Sequence, residues 1–135
     1  LIQRLLDTNI CIEAIRGKTD RVMSHLRRQA IDSVGISAIT LAELQHGVSA
    51  SKDAGGNLVA LVRFCAPLQI MSFDNFAAAA YGDLRATLQR QGRVIGPLDM
   101  LIAAHALSMD AILVTNNERE FKRISNLKIE NWVKA

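Results

Sequence analysis

The chain has 135 residues, half of them apolar and 21% charged, ordinary proportions for one globular domain long enough to bury a core. Aromatics make up only 4%, so the core is built from Leu, Ile, Val, Ala and Met, which suits layered α/β packing better than an all-β sandwich. A formal charge of +3 admits an anionic partner without requiring one, and no apolar run reaches the about 18 residues of a membrane span.

In chain order, residues 2–6 read as a short strand ending at Asp7. Asp7-Thr8-Asn9 is rich in N-cap residues, and Ile10, Cys11, Ala14 and Ile15 follow at helical spacing. Val22, Met23, Leu26 and Ala30 predict a second helix. Residues 33–37 form a strand around Val34 and Ile36, and Thr40 opens a helix through Leu41, Leu44 and Val48. The polar, glycine-bearing residues 51–56 read as a loop, and 57–65 as a helix broken by Pro67. Residues 68–73 alternate as a strand, and 74–91 predict a long Ala-rich helix. Pro97 sits in the first turn of a helix over 98–108. Residues 111–115 are a continuous apolar strand, 118–123 a helical turn, and 127–132 a last edge strand. Strands alternating with helices predict one domain with a mostly parallel sheet covered on both faces.

Cys11 and Cys65 lie in apolar stretches outside any CxxC motif. Both are expected to be buried and reduced, as in the cytoplasm. No charged-then-apolar leader is expected at the start. Basic residues cluster as Arg16, Lys18, Arg21, Arg27 and Arg28, as Arg85, Arg90 and Arg93, and as Lys122, Arg123 and Lys128.

Most acids fall where solvent would take them, but three do not. Asp7 follows Leu5 and Leu6 at a strand end, Glu43 is flanked by Leu41, Ala42 and Leu44, and Asp99 stands between Leu98 and Met100. In an open parallel sheet, ligands bind at the carboxyl ends of the strands, where strand order reverses. Asp7, Glu43, Asp99 and the segment bearing Asn116, Asn117 and Glu120 can all reach that edge. Carboxylates gathered there repel one another, and a hard divalent cation such as Mg²⁺ relieves this while binding substrate phosphate and activating water. Taken singly, Asp7 and Asp99 also read as caps of helix N-termini.

Four blocks carry a family resemblance: Leu6-Asp7-Thr8-Asn9; Ser37 to Leu44 with Gly47; Gly92-Arg93 with Gly96 to Asp99 and Ile102 to Ala106; and Val114 to Phe121. Spanning nearly the whole chain in order, they resemble PIN-domain proteins, and among these the bacterial VapC ribonuclease toxins of VapBC toxin–antitoxin pairs. The resemblance implies a three-layer α/β/α domain and a Mg²⁺- or Mn²⁺-dependent endoribonuclease. It implies that Asp7, Glu43 and Asp99 are metal-binding acids, with Glu120 a supporting catalytic acid. Many family members carry a fourth acid where this chain has Asn117, whose amide can coordinate but brings no charge. A VapB-type antitoxin whose tail blocks the crevice, a homodimer, and an RNA substrate such as the initiator tRNA anticodon stem-loop are implied in the same way.

Thr8 and Ser37 are candidates to hydrogen-bond the acids or bound waters, with local capping as the alternative. Arg85 and Arg93 are candidates to guide phosphates, with a solvated helix face as the alternative. His25, His46 and His105 lack a second His or Cys at ligand spacing and read as core or surface residues. Trp132 is expected to pack a chain end. A phospho-acceptor receiver domain would need paired acids after the first strand and a Lys after the last. Thr8-Asn9 follows Asp7 instead, and no Lys follows Thr115. A non-catalytic RNA- or protein-binding module is the other reading, favoured by Asn117 and opposed by the three intact acids.

Overall fold

A computed structural model describes residues 1–17 and 19–134. The elements run β1 (Arg4–Leu6), α1 (Thr8–Arg16), α2 (Arg21–Arg27), β2 (Val34–Ser37), α3 (Ala38–Ser49), α4 (Ala54–Cys65), β3 (Gln69–Met71), α5 (Asn75–Arg90), α6 (Pro97–Ser108), β4 (Ile112–Val114), α7 (Glu118–Phe121) and β5 (Ile129–Glu130). The five strands form one sheet in the order β3-β2-β1-β4-β5, every pairing parallel.

Parallel strands need both faces covered, because each strand alternates its side chains between two cores. Leu5 and Leu113 join one core, with Leu84 and Leu88 of α5, Ala103, Ala104 and Ala106 of α6, and Phe121. The next residues along, Leu6 and Val114, join the other, with Ile10 and Cys11 of α1, Leu44 of α3, and Leu61 and Phe64 of α4. Three layers follow from that alternation. Trp132 is 2% exposed. Its Nε1 donates to Glu130 at 3.1 Å, and His25 of α2 stacks on it at 5.2 Å. Arg4 grips the same Glu130 through Nε and Nη2, at 2.9 and 3.0 Å, tying β1 to β5.

Several boundaries move, each for a local reason. Ser37, not Thr40, caps α3, by accepting the Ile39 N–H at 3.0 Å. Helix α4 starts at Ala54 and runs through Gly55 and Gly56, because Asp53 accepts the Gly56 N–H and supplies the cap that glycine cannot. Helix α2 stops at Arg27, short of Ala30. Strand β5 keeps only two paired residues of the expected six. Cys65 is half-buried rather than buried, while Cys11 is fully enclosed; both are free thiols. Among the described residues, no helix is long and apolar enough to cross a membrane. Of the basic clusters, Lys18 lies outside the described residues.

Candidate active site

The strand order reverses between β1 and β4, and the residues that leave these two strands meet there. Asp7 leaves β1 in extended conformation and caps α1, its Oδ1 accepting the Asn9 N–H at 2.7 Å. Thr115 leaves β4 and donates its hydroxyl to Asp7 Oδ2 at 2.5 Å, while accepting the Asn117 N–H at 2.9 Å. Asp7 is 4% exposed. Burial pushes its carboxyl up from the ordinary range, the bonds from Thr115 and Asn9 hold it back, and the charge of Glu43 raises it again.

Three further acids complete the crevice. Glu43 lies in the second turn of α3, and Thr8 of α1 donates to its Oε1 at 2.7 Å. The buried Thr40 hydroxyl lies 3.3 Å from that of Thr8. Asp99 occupies the first turn of α6, a helix whose N-cap, Gly96, offers no side chain. Its pKa is raised from 3.8 to about 6, first by burial, then by the charge of Asp7, the charge of and a hydrogen bond with Glu120, and the charge of Glu43. Asn117 donates through Nδ2 to Glu120 Oε2 at 3.1 Å, anchoring that acid at the start of α7.

The ligand groups on offer are all oxygens: four carboxylates, three threonine hydroxyls and the Asn117 amide oxygen. Among the described residues, no three His, Cys, Asp or Glu side chains lie together as a protein-only metal site. A Mg²⁺-type ion does not need one, because it keeps several waters and takes a few carboxylates together with substrate phosphate. The mutual repulsion that lifts Asp99 is what such a charge would relieve, so the residues present fit a hard divalent cation and lack the imidazoles and thiolates that suit softer ones.

The family model for the PIN domain matches residues 4–127. The chain belongs to the PIN-domain family. This PIN domain is 47% identical over 131 residues to Ribonuclease VapC2 of Rickettsia felis, covering 96% of this chain and 98% of the relative. It is 39% identical to the tRNA(fMet)-specific endonuclease VapC of Shigella flexneri, covering 98% and 99%. Among solved structures, VapBC2 from Rickettsia felis, bound to a DNA fragment from its promoter, superposes with a TM-score of 0.92. That match is at 45% identity and covers 97% of this chain and 99% of the other.

The PIN domain thus brings Asp7, Glu43, Asp99 and Glu120 to one sheet edge, with Thr8 on Glu43 and Asn117 on Glu120. Ser37 is placed otherwise: its hydroxyl meets the Ile39 N–H and His105 Nδ1, not an acid, because it ends β2 and must cap the helix that follows. Arg85 is exposed on α5, with Nη1 on the Tyr81 hydroxyl at 3.0 Å, and Arg93 is exposed in the loop before α6. Sequence reasoning missed Thr115 and Thr40. A hydroxyl ending an apolar strand, and one among the apolar residues of a helix's first turn, were the available signals. His46 is exposed, His25 half-buried and His105 buried.

Proposed function

We propose that this PIN domain is a divalent-metal-dependent endoribonuclease, the toxin half of a VapBC-type pair. The observation that carries this reading is the placing of Asp7 and Glu43 on fixed hydroxyl partners, with Asp99 and Glu120, where the strand order reverses, close enough for Asp7, Glu120 and Glu43 to add to the burial that raises Asp99. The ribonuclease names of the Rickettsia felis and Shigella flexneri relatives support it. Asp7, Glu43 and Asp99 would hold the ion. When bound, Mg²⁺ or Mn²⁺ supplies Lewis-acid chemistry, polarising the phosphodiester, acidifying water and stabilising the leaving oxygen.

The chain's own residues prepare that chemistry. Thr115 and the Asn9 N–H fix both oxygens of Asp7, and Thr8 fixes one oxygen of Glu43, so neither carboxylate must reorganise when substrate arrives. Burial first, and then the neighbouring acids, raise the Asp99 carboxyl to about 6, and Asn117 Nδ2 holds Glu120 in place at 3.1 Å. Arg85 and Arg93, both exposed, would attract phosphates. The substrate we infer is a structured RNA, with initiator tRNA suggested by the name of the Shigella flexneri relative.

The inferred partner is a VapB-type antitoxin, as in the solved VapBC2 assembly. An open groove beside Glu43, lined by Ile12, Ile15, Leu44, Val48 and Leu61, offers apolar surface for its tail. A homodimer and a cytoplasmic location complete the proposal, the latter supported by the two free thiols. The test is cleavage of a labelled tRNA pool by antitoxin-free protein with Mn²⁺. Cleavage lost with EDTA, and with Asp7→Asn or Asp99→Asn, supports the enzyme. RNA left intact at high protein excess, but still bound, supports a non-catalytic RNA-binding module instead.

A further inference from the structure

The acids and threonines are accounted for by the crevice they line, but His105 is not. It lies six residues after Asp99 on α6 and is 2% exposed. A buried imidazole is stable only when its nitrogens find partners. Its Nδ1 stands 2.8 Å from Ser37 Oγ, which already accepts the Ile39 N–H at 3.0 Å. Ser37 is fully buried, so Nδ1 is the acceptor left for its hydroxyl proton; Nδ1 presents its lone pair and the ring proton belongs on Nε2. The Ser37 hydroxyl therefore donates to Nδ1, and its oxygen accepts the Ile39 N–H. Phe73 packs edge-on against the ring, with centroids 5.3 Å apart. Burial pushes the imidazole pKa down and keeps it neutral, against the pull of Asp74 and the Ser72 carbonyl.

Ser37 is the cap of α3, which carries Thr40 and Glu43; His105 belongs to α6, which carries Asp99. Their hydrogen bond is a polar tie between the two helices that deliver those acids. Toward the other end of the contact, Leu98 of α6 lines a hollow together with Ala42, Glu43 and His46 of α3. We propose that His105 is a positioning residue: through the Ser37 hydroxyl it fixes the start of α3 against α6 and so sets how Glu43 stands relative to Asp99. The proposal rests on the acidic crevice being the ion site, and it concerns the geometry of that site rather than its chemistry.

Two near-isosteres separate the ring nitrogens. His105→Asn keeps an acceptor at the Nδ1 position for Ser37 and gives up the Nε2 position. His105→Gln reaches the Nε2 position and gives up Ser37. Packing alone ranks them in the opposite order, because Gln fills more of the space the ring leaves. By calorimetry, Mn²⁺ affinity is expected to stay within about threefold of wild type in His105→Asn and to weaken about tenfold in His105→Gln. Amide exchange at residues 39–41 is expected to quicken only in His105→Gln. Nitrogen-15 spectra of the unaltered protein should show a protonated Nε2 and a bare Nδ1 at neutral pH. A ring protonated on Nδ1 would overturn the proposal, as would an Asn variant that binds Mn²⁺ no better than the Gln variant. If the unaltered protein binds no Mn²⁺ at all, the metal reading fails, while the tautomer and the exchange rates still decide the role of His105.

Discussion

Thr115 and Asp7 are 108 residues apart in sequence and joined by a 2.5 Å hydrogen bond. They leave adjacent strands where the strand order reverses, so this one bond spans the floor of the crevice. Thr115→Val keeps the shape and removes the hydroxyl. Asp7 then loses a contact that lowers its pKa while its burial remains, so its carboxyl is expected to titrate higher still. Stability should drop by about 1–2 kcal/mol, since a buried oxygen loses its partner. Mn²⁺ affinity should fall about 10- to 100-fold. Carboxyl NMR titration, urea melts and calorimetry check the three effects, and unchanged affinity would remove Thr115 from the site.

Asp99→Asn tests the electrostatics without metal. In the unfolded chain the carboxyl ionises near 3.8, and in the folded protein near 6. Between those values the folded state binds more protons, so its stability is greatest below about pH 4 and falls as pH rises through about 6. Asn carries no charge and escapes that loss. At pH 7.5 the metal-free variant should be more stable by about 1 kcal/mol, a figure reduced for solvent screening, and the two proteins should converge near pH 3.5. A variant less stable than wild type at pH 7.5 would contradict the repulsion argument. With saturating Mn²⁺ the order should reverse, because binding stabilises only the competent site.

Arg85 and Arg93 are both exposed, and the role proposed for them is electrostatic. Arg93→Ala should weaken RNA binding evenly across sequences and reduce the slope of log affinity against log salt by about 1, with Arg85→Ala acting alike. Filter binding from low to moderate salt measures this. A slope unchanged in both variants would leave the arginines as solvated surface.

Trp132 packs between β5 and α2, with its nitrogen on Glu130 and His25 stacked on its face. Trp132→Ala should cost about 3–5 kcal/mol through the cavity it leaves. A melting temperature within a degree or two of wild type would show that the segment after β5 contributes little.

The layered fold and the acids at its edge were legible in the sequence because both rest on local pattern. Leu5-Leu6 and Leu113-Val114 declare strands buried on both faces, and an acid set among apolar neighbours stands out wherever it falls. What was not legible depended on partners distant in sequence. Ser37 reads equally as a cap or as a support for the acids until His105, 68 residues away, is seen taking its hydroxyl. Thr115 looks like the end of a strand until Asp7 is seen beneath it. The start of α4 was misread because the Asp53 cap outweighs two glycines, a balance that composition conceals.

The placement of β1 between β2 and β4 bears on the order in which the molecule assembles during translation. Asp7 and Glu43 emerge from the ribosome early, but one edge of β1 stays open until residues 112–114 arrive to pair with it. Thr115 and Glu120 come later still. A nascent or prematurely terminated chain therefore holds half of the acidic crevice and an unpaired strand edge. The four acids can meet only once nearly all of the chain has been synthesised.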